Sequence, residues 1–216
     1  MTVPTQWKTS LIIPIPKVSQ PTSPSDFRPI SLTPILSRLL EKMVVQFCFY
    51  PILVQPSIAP SFMDQFAFRP SGSTTSALIY LFHHVSNLLV NNPYVHIVAL
   101  DFSKAFDTVK HDVLISKLGK NQLSEPIVNW VESYLSGRSH ITKYESTYSS
   151  KASISASVVQ GSALGPVSFL LYISDLHASI SGNLMAKYAD DYYLPVILLA
   201  CLKKWRISQI WRRETV

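Results

Sequence analysis

Two adjacent carboxylates, Asp190 and Asp191, stand between two short apolar runs, residues 184–188 and 192–196. Apolar runs of this length around a polar centre are typical of a β-hairpin, and the carboxylates would lie at its tip. Like charges at a tight turn repel each other, so the pair favours a bound cation. Taken alone, an Asp-Asp pair also fits a solvated turn.

A third carboxylate, Asp101, ends the run of residues 96–100, whose apolar side chains predict a strand buried on both faces. A carboxylate at the exit of that strand is well placed to meet the hairpin tip. Three converging carboxylates form a set of hard oxygen ligands that suits Mg²⁺ or Mn²⁺ rather than zinc. Two such ions about 4 Å apart would hold the attacking and leaving oxygens of an in-line phosphoryl transfer.

Three segments that include these carboxylates resemble, in order and spacing, the motifs of reverse transcriptases of non-LTR (LINE-type) retrotransposons. They read LDFSKAFDT (residues 100–108), QGSALGP (160–166) and YADD (188–191). The resemblance implies an α/β (α+β) fold of fingers and palm, with a mostly antiparallel palm sheet backed by helices. It also implies an RNA-directed DNA polymerase that uses two Mg²⁺ ions (Mn²⁺ being possible), an RNA template, a DNA primer and dNTPs.

The resemblance also assigns substrate-binding residues. Lys17 and Arg28 fall where the family has two cations on a fingers hairpin that bind the triphosphate; a planar guanidinium can bind phosphate oxygens bidentately. Phe106 falls where an aromatic ring would clash with a 2′-hydroxyl and so select deoxynucleotides. Gln160 and Gly161 fall in the loop that lies against the nucleotide. Without the family, Phe106 also fits a core residue, and the two cations fit a solvated loop.

Arg69 lies in the segment QFAFRP (residues 65–70), which in the family lies against the template, so Arg69 is predicted to contact the nucleic-acid backbone. Asp107 is close to Asp101, but its counterpart in the family is typically structural. Ser157 occupies a position where the family usually has glycine.

The periodicity of apolar residues predicts the elements that position these groups. An edge strand is expected around residues 11–13, between prolines, and a strand pair over residues 141–158. Three amphipathic helices are expected to bury apolar faces. These faces are Ile35, Leu36, Leu39, Leu40, Met43, Val44 and Phe47 on the first helix; Leu78, Leu81, Phe82, Val85, Leu88 and Leu89 on the second; and Ile127, Trp130, Val131, Tyr134 and Leu135 on the third.

The composition limits the class of protein. The 216 residues are 47% hydrophobic, which indicates a globular chain. The net charge of +6 favours a polyanionic partner, although many basic proteins bind none. No apolar run approaches the roughly 20 residues that span a bilayer, and no signal peptide is recognisable, so no membrane partner is expected. Two cysteines in apolar surroundings predict no disulfide-linked partner. Localisation is left open; a nuclear site is only a family analogy.

Three regions are predicted: a fingers-like region over residues 1–92, a palm over 93–198 and an irregular basic tail over 199–216. The tail matches nothing in the family, so a domain truncated before the end of the palm and lacking the thumb is expected. Two alternatives to an active reverse transcriptase stay open. One is an inactive nucleic-acid-binding remnant, and the other is an RNA-dependent RNA polymerase.

Overall fold

The computed structural model describes residues 2–102, 104–178 and 184–196. Its strands are β1 (Thr9–Pro16), β2 (Phe27–Leu32), β3 (His96–Asp101), β4 (Ser139–Tyr144), β5 (Thr147–Tyr148), β6 (Ala152–Ser153), β7 (Ala186–Tyr188) and β8 (Asp191–Val196). Its α-helices are α1 (Ile35–Val44), α2 (Tyr50–Leu53), α3 (Thr74–Leu89), α4 (His111–Lys120), α5 (Glu125–Leu135) and α6 (Leu164–Tyr172). The predicted basic tail lies outside the described residues.

The chain forms two compact units that are interleaved in sequence. The first consists of Met1–Ile52 and Phe106–Leu171, and the second of Leu53–Ala105 and Tyr172–Val216. The predicted division into fingers and palm follows chain order instead and stays a prediction. Among the described residues, no helix is both long enough and apolar enough to cross a lipid bilayer. Cys48 has a free thiol.

The sheet of the first unit has the order β2-β1-β4-β5, with β6 also paired to β4. β1 lies between an antiparallel and a parallel neighbour, so the prediction of an edge strand is wrong. Its pairing with β4 involves only residues 9–12, and Pro14 and Pro16 lie beyond it. The prolines therefore stand where β1 is paired on one side only, which is compatible with their missing N–H groups.

Residues 141–158, where a strand pair is predicted, hold most of β4 together with the short strands β5 and β6. β4 and β5 are antiparallel, and the turn between them contains Glu145 with a φ of 51°. A non-glycine residue therefore takes the left-handed conformation at this turn.

The sheet of the second unit is antiparallel, with β8 between β3 and β7. Along β3, half-buried residues alternate with exposed ones, and Ile97 is 46% exposed. The prediction that this strand is buried on both faces is therefore wrong. β3 lies at the end of the sheet order, and an antiparallel sheet commonly covers only one of its faces.

Helix α1 exposes most of the face that the apolar pattern predicts to be buried, with exposures of 85% for Ile35, 64% for Leu36 and 53% for Leu39. Of that predicted face, Val44 is buried. The buried side chains are Ser37, Glu41 and Val44. The apolar stripe thus identified the helix but not the face that it buries.

The carboxylate of Glu41 explains this orientation. Glu41 is fully buried and accepts hydrogen bonds from the hydroxyls of Ser37 (2.9 Å), Tyr134 (3.0 Å) and Ser162 (2.5 Å) and from the amide of Ala163 (3.0 Å). The last two donors precede α6, whose N-terminal dipole favours an anion. A buried carboxylate is tolerated when it is hydrogen-bonded in this way.

The other two amphipathic helices differ in outcome. On α5, Trp130, Val131, Tyr134 and Leu135 are buried, as predicted. On α3, Leu81 is the one buried residue, and Leu78, Phe82 and Leu89 of the predicted core face are exposed. Ser73 caps α3, because its hydroxyl accepts a hydrogen bond from the amide of Ser76 at 3.0 Å.

Replacement of Glu41 by alanine should lower the free energy of unfolding of the full chain by about 3–5 kcal/mol. The substitution leaves several buried donors without their acceptor, and it also leaves a cavity. Urea unfolding followed by circular dichroism measures the change. Glu132→Ala is the matched control, because Glu132 is exposed on α5 and its loss should change stability by less than about 0.5 kcal/mol. Equal effects of the two substitutions would contradict the role given to the Glu41 network.

Candidate active site

The predicted hairpin forms, with its two carboxylates at the tip. Strands β7 and β8 are antiparallel, and Tyr188 pairs with Asp191 across a turn of two residues, Ala189 and Asp190. Ala189 has a φ of 56°, a left-handed conformation that residues other than glycine adopt at some energetic cost. Asp190 is thus in the turn itself, and Asp191 is the first residue of β8.

The pairing of β3 with β8 places Asp101 directly opposite Asp191. The pKa of Asp191 is raised above its ordinary value, first by partial burial and then by the charges of Asp190 and Asp101. Within the described residues, no salt bridge includes any of the three aspartates. The three carboxylates are therefore neighbouring like charges, and their convergence on a metal ion stays a prediction.

The cluster is not a closed cage. Among the described residues, no group of three His, Cys, Asp or Glu side chains is arranged to hold a metal ion by itself. The donor chemistry still fits Mg²⁺, because this ion is usually held by one or two carboxylates together with waters and substrate phosphates. The mutual repulsion within the cluster also favours a cation.

Two buried polar residues, Gln65 and Lys187, and the half-buried Asp64 support the hairpin and were not predicted as part of the site. Lys187 of β7 is 1% exposed, and its ammonium forms a 2.9 Å ion pair with the carboxylate of Asp64. The ammonium also donates to the carbonyl of Leu176. The side chain of Gln65 hydrogen-bonds the backbone of Ala189. Gln65 begins the segment that the resemblance assigns to the template, and Asp64 directly precedes it, but nothing in the sequence connects them to the hairpin.

Lys17 and Arg28 lie on one β-hairpin, as the resemblance implies. Lys17 follows β1, and Arg28 of β2 is paired with Ile15. The ammonium of Lys17 donates to the carbonyl of Ser25 (2.9 Å), and its backbone N–H donates to the carbonyl of Asp26 (2.7 Å). Both cationic side chains are exposed.

Phe106 and Gln160 are near each other in the first unit. The ring of Phe106 is half-buried and stacks on Phe169, with ring centroids 4.3 Å apart. The side-chain amide of Gln160 donates to the carboxylate of Asp107, the next residue, at 3.1 Å. Asp107 thus has the structural contact expected of it, and Phe106 is held by another ring.

Gly161 is required by the backbone of β2. It has a φ of 101°, and a Cβ at this position would lie 2.7 Å from the carbonyl oxygen of Ser31. The amide of Ser31 in turn donates to the carbonyl of Gln160 at 2.9 Å. The loop of Gln160 and Gly161 is therefore attached to β2, the strand that also bears Arg28.

Ser157 adopts a glycine-like conformation, with a φ of 94°. Its amide donates to the carbonyl of Val109 (2.9 Å), and its own carbonyl lies 2.8 Å from the ring of His111. These contacts hold the backbone in place although the residue has a Cβ. The positive φ at this position explains why glycine is usual there in the family, since glycine adopts such a φ without steric cost.

Arg69 is half-buried in the second unit, and its guanidinium is engaged by the chain itself. One terminal nitrogen donates to the carbonyls of Phe62 and of Gln65, the latter at 3.3 Å. The predicted contact of Arg69 with a nucleic-acid backbone stays a prediction.

The structure therefore groups the predicted residues into sets. Asp101, Asp190 and Asp191 lie together in the second unit, which also contains Arg69. The first unit contains the hairpin that bears Lys17 and Arg28. It also contains Phe106, Gln160 and Gly161.

The family described as reverse transcriptase (RNA-dependent DNA polymerase) matches residues 15–197 of the chain. A probable RNA-directed DNA polymerase from transposon BS of Drosophila melanogaster is 35% identical over 199 residues, which cover 88% of this chain and 22% of the relative. An RNA-directed DNA polymerase from the mobile element jockey of the same organism is 32% identical over 196 residues, which cover 87% of this chain and 21% of the relative. The chain spans about a fifth of the length of these curated relatives.

Two solved structures have a similar fold. Apo telomerase from Candida tropicalis, truncated from the C-terminal domain, matches with a TM-score of 0.64 and 16% identity over 94% of this chain and 46% of that chain. Telomerase from Candida albicans in complex with a TWJ fragment of telomeric RNA matches with a TM-score of 0.64 and 14% identity. The match covers 97% of this chain and 41% of that chain. The predicted fold class is thereby confirmed.

Replacement of Ser157 by glycine should stabilise the protein by about 1 kcal/mol, because glycine adopts a positive φ without the steric cost of a Cβ. The melting temperature should rise by about 2–4 °C in differential scanning fluorimetry. Ser155→Gly is the control: Ser155 has no positive φ, and this change should lower the melting temperature. A neutral or destabilising Ser157→Gly would show that the serine is not strained.

Replacement of Asp191 by asparagine should raise the melting temperature of the metal-free protein by about 1–3 °C at pH 7, because like charges directly opposite each other destabilise a strand pair. The folded pKa of Asp191 is raised, so its ionised form costs stability above that pKa, and the cost disappears as the pH falls toward the unfolded value near 3.8. The difference between variant and wild type should therefore shrink between pH 7 and pH 4. A difference that is constant with pH would contradict this, and Glu145→Gln, on an exposed turn, is the control.

Proposed function

Because the chain belongs to the reverse transcriptase (RNA-dependent DNA polymerase) family, we propose that it performs the RNA-templated nucleotidyl transfer of a non-LTR retrotransposon polymerase. The sequence-based identification of the family is confirmed by the matches. The activity of this chain is our proposal, and its strongest support is the alignment of Asp101 with Asp191 across β3 and β8, beside Asp190.

In the proposed reaction, the 3′-hydroxyl of a DNA primer attacks the α-phosphorus of a dNTP and gives up its proton to solvent. A new P–O bond forms while the bond from the α-phosphorus to the α,β-bridging oxygen breaks, and pyrophosphate leaves. Asp101, Asp190 and Asp191 would hold two Mg²⁺ ions, which supply positive charge at the attacking and leaving oxygens. The protein itself contributes the fixed positions of the three carboxylates, which the register of β3 and β8 and the two-residue turn determine.

Lys17 and Arg28 would bind the triphosphate of the nucleotide. Their hairpin presents one ammonium and one guanidinium on an exposed surface, and cations aimed at developing phosphate charge stabilise phosphoryl transfer. The ammonium of Lys17 donates to the carbonyl of Ser25, in the loop between β1 and β2.

Phe106 would exclude a 2′-hydroxyl, and Gln160 with Gly161 would position the nucleotide. A ring that excludes an atom must not move aside, and the stacking of Phe106 on Phe169 restrains it. The bond from Gln160 to Asp107 similarly fixes the adjoining loop.

An RNA template and a DNA primer are the proposed partners. The net charge of +6 favours a polyanion, and nucleic-acid affinity based on phosphate contacts should fall with salt. Arg69 is the candidate backbone contact in the second unit.

Primer extension on an RNA template with dNTPs and Mg²⁺ should be measured for the full chain and for Asp190→Asn. The substitution removes a proposed metal ligand from a partly exposed turn, so extension should fall by at least about 100-fold while the melting temperature is maintained. Asp112→Asn is the control, because Asp112 is an exposed carboxylate at the start of α4.

Undiminished extension by Asp190→Asn would refute the assignment of the site. A wild-type chain that binds template and primer in a salt-dependent way but extends nothing would identify the nucleic-acid-binding remnant instead. Equal incorporation of NTPs and dNTPs would indicate an RNA polymerase and exclude the role of Phe106.

A further inference from the structure

The side chain of Gln65 is hydrogen-bonded to both polar backbone groups of Ala189. Gln65 is 2% exposed. Its amide oxygen accepts the N–H of Ala189 at 3.2 Å, and its amide nitrogen lies 3.4 Å from the carbonyl oxygen of the same residue. The oxygen also accepts the N–H of Ala67 at 2.9 Å. One primary amide therefore spans the residue that immediately precedes Asp190.

Three features of the turn that contains Ala189 and Asp190 are unfavourable for its stability. Ala189 is in the left-handed conformation, which is sterically unfavourable for a residue with a Cβ. β7 is only three residues long, so its ladder with β8 holds the turn through few hydrogen bonds. The repulsion among Asp101, Asp190 and Asp191 acts on the same turn.

The backbone around Gln65 is fixed relative to β7. The amide of Lys187 donates to the carbonyl of Asp64 (2.7 Å), the amide of Phe66 donates to the carbonyl of Lys187 (2.9 Å), and Gln65 forms a parallel bridge with Lys187. The ion pair between the buried Lys187 and the half-buried Asp64 adds a second connection. The Gln65 side chain thus extends from a strand-like segment attached to the hairpin.

We propose that Gln65 is a positioning residue of the active site, which fixes the backbone of Ala189 and thereby the direction of the Asp190 and Asp191 carboxylates. The proposal deepens the proposed function and rests on it for its catalytic consequence. It does not require Gln65 to touch substrate or metal. An amide suits this role because it both donates and accepts, whereas a carboxylate only accepts and a thioether does neither to a useful degree.

The test uses the full chain with Gln65→Met, Gln65→Glu and the control Gln46→Met, since Gln46 is exposed. The first readout is the hydrogen exchange of the Ala189 amide, followed by NMR. In Gln65→Met this amide should exchange at least about 10-fold faster, because it loses its acceptor. In Gln65→Glu the exchange rate of the Ala189 amide should stay within about threefold of the wild-type rate, because an acceptor oxygen remains.

The second readout is the affinity for Mn²⁺ alone, measured by electron paramagnetic resonance, together with primer extension. Gln65→Met should bind Mn²⁺ about 3–10-fold more weakly, and its kcat should fall about 10-fold with the KM for dNTP unchanged within twofold. A merely structural role would lower the melting temperature without this division between kcat and KM.

The outcomes separate the two hypotheses. Unchanged exchange of the Ala189 amide in folded Gln65→Met would overturn the positioning role, whatever the activity. If Gln65→Met does not fold, Gln65→Glu decides: an Ala189 amide that loses all protection there would contradict acceptance by the side-chain oxygen. Absence of Mn²⁺ binding and extension in the wild type would refute the proposed function, while the exchange data would still decide whether Gln65 holds the turn.

Discussion

The repulsion among three carboxylates at the paired ends of β3 and β8 is the constraint on which the second unit depends. Asp101 and Asp191 are brought opposite each other by strand register, so the sheet cannot relax the repulsion without breaking its pairing. The pKa of Asp191 is raised first by partial burial and then by the charges of Asp190 and Asp101. Three neighbouring carboxylates make the local electrostatic potential negative, so this place favours cations, which a phosphoryl transfer would need there.

Both units use a buried polar side chain to hold backbone beside their predicted functional residues. In the first unit, Glu41 accepts hydrogen bonds from the residues that follow Gln160 and Gly161. In the second unit, Gln65 bonds the residue before Asp190. Loops and tight turns leave backbone amides and carbonyls unpaired, and side chains from distant parts of the chain satisfy them here. Such contacts restrain the backbone conformation of loops and turns, which strand pairing alone does not restrain.

The sequence was sufficient to predict the hairpin of the carboxylates, the family and the buried face of α5, because each depends on a local pattern. It was misleading for α1, where the outward stripe is more apolar than the buried face. Hydrophobic periodicity locates a helix, but the partner decides which face is buried, and the partner of Glu41 comes from a remote segment. β1 was wrongly placed at an edge for the same reason, since its parallel neighbour β4 lies far along the chain. Gln65 and Lys187 could not be recognised as supports of the turn, because only the fold brings them to Ala189 and Asp64.

The interleaving of the two units has a consequence for synthesis on the ribosome. β3 leaves the ribosome long before its only sheet neighbour among the described residues, β8, has been made, and most of the first unit is translated in between. During that interval the edge of β3 offers unpaired N–H and C=O groups to other strands. Non-local pairing of this kind folds slowly and exposes the nascent chain to aggregation. The carboxylate cluster therefore comes into being only as a late event of folding, after the first unit has had time to form.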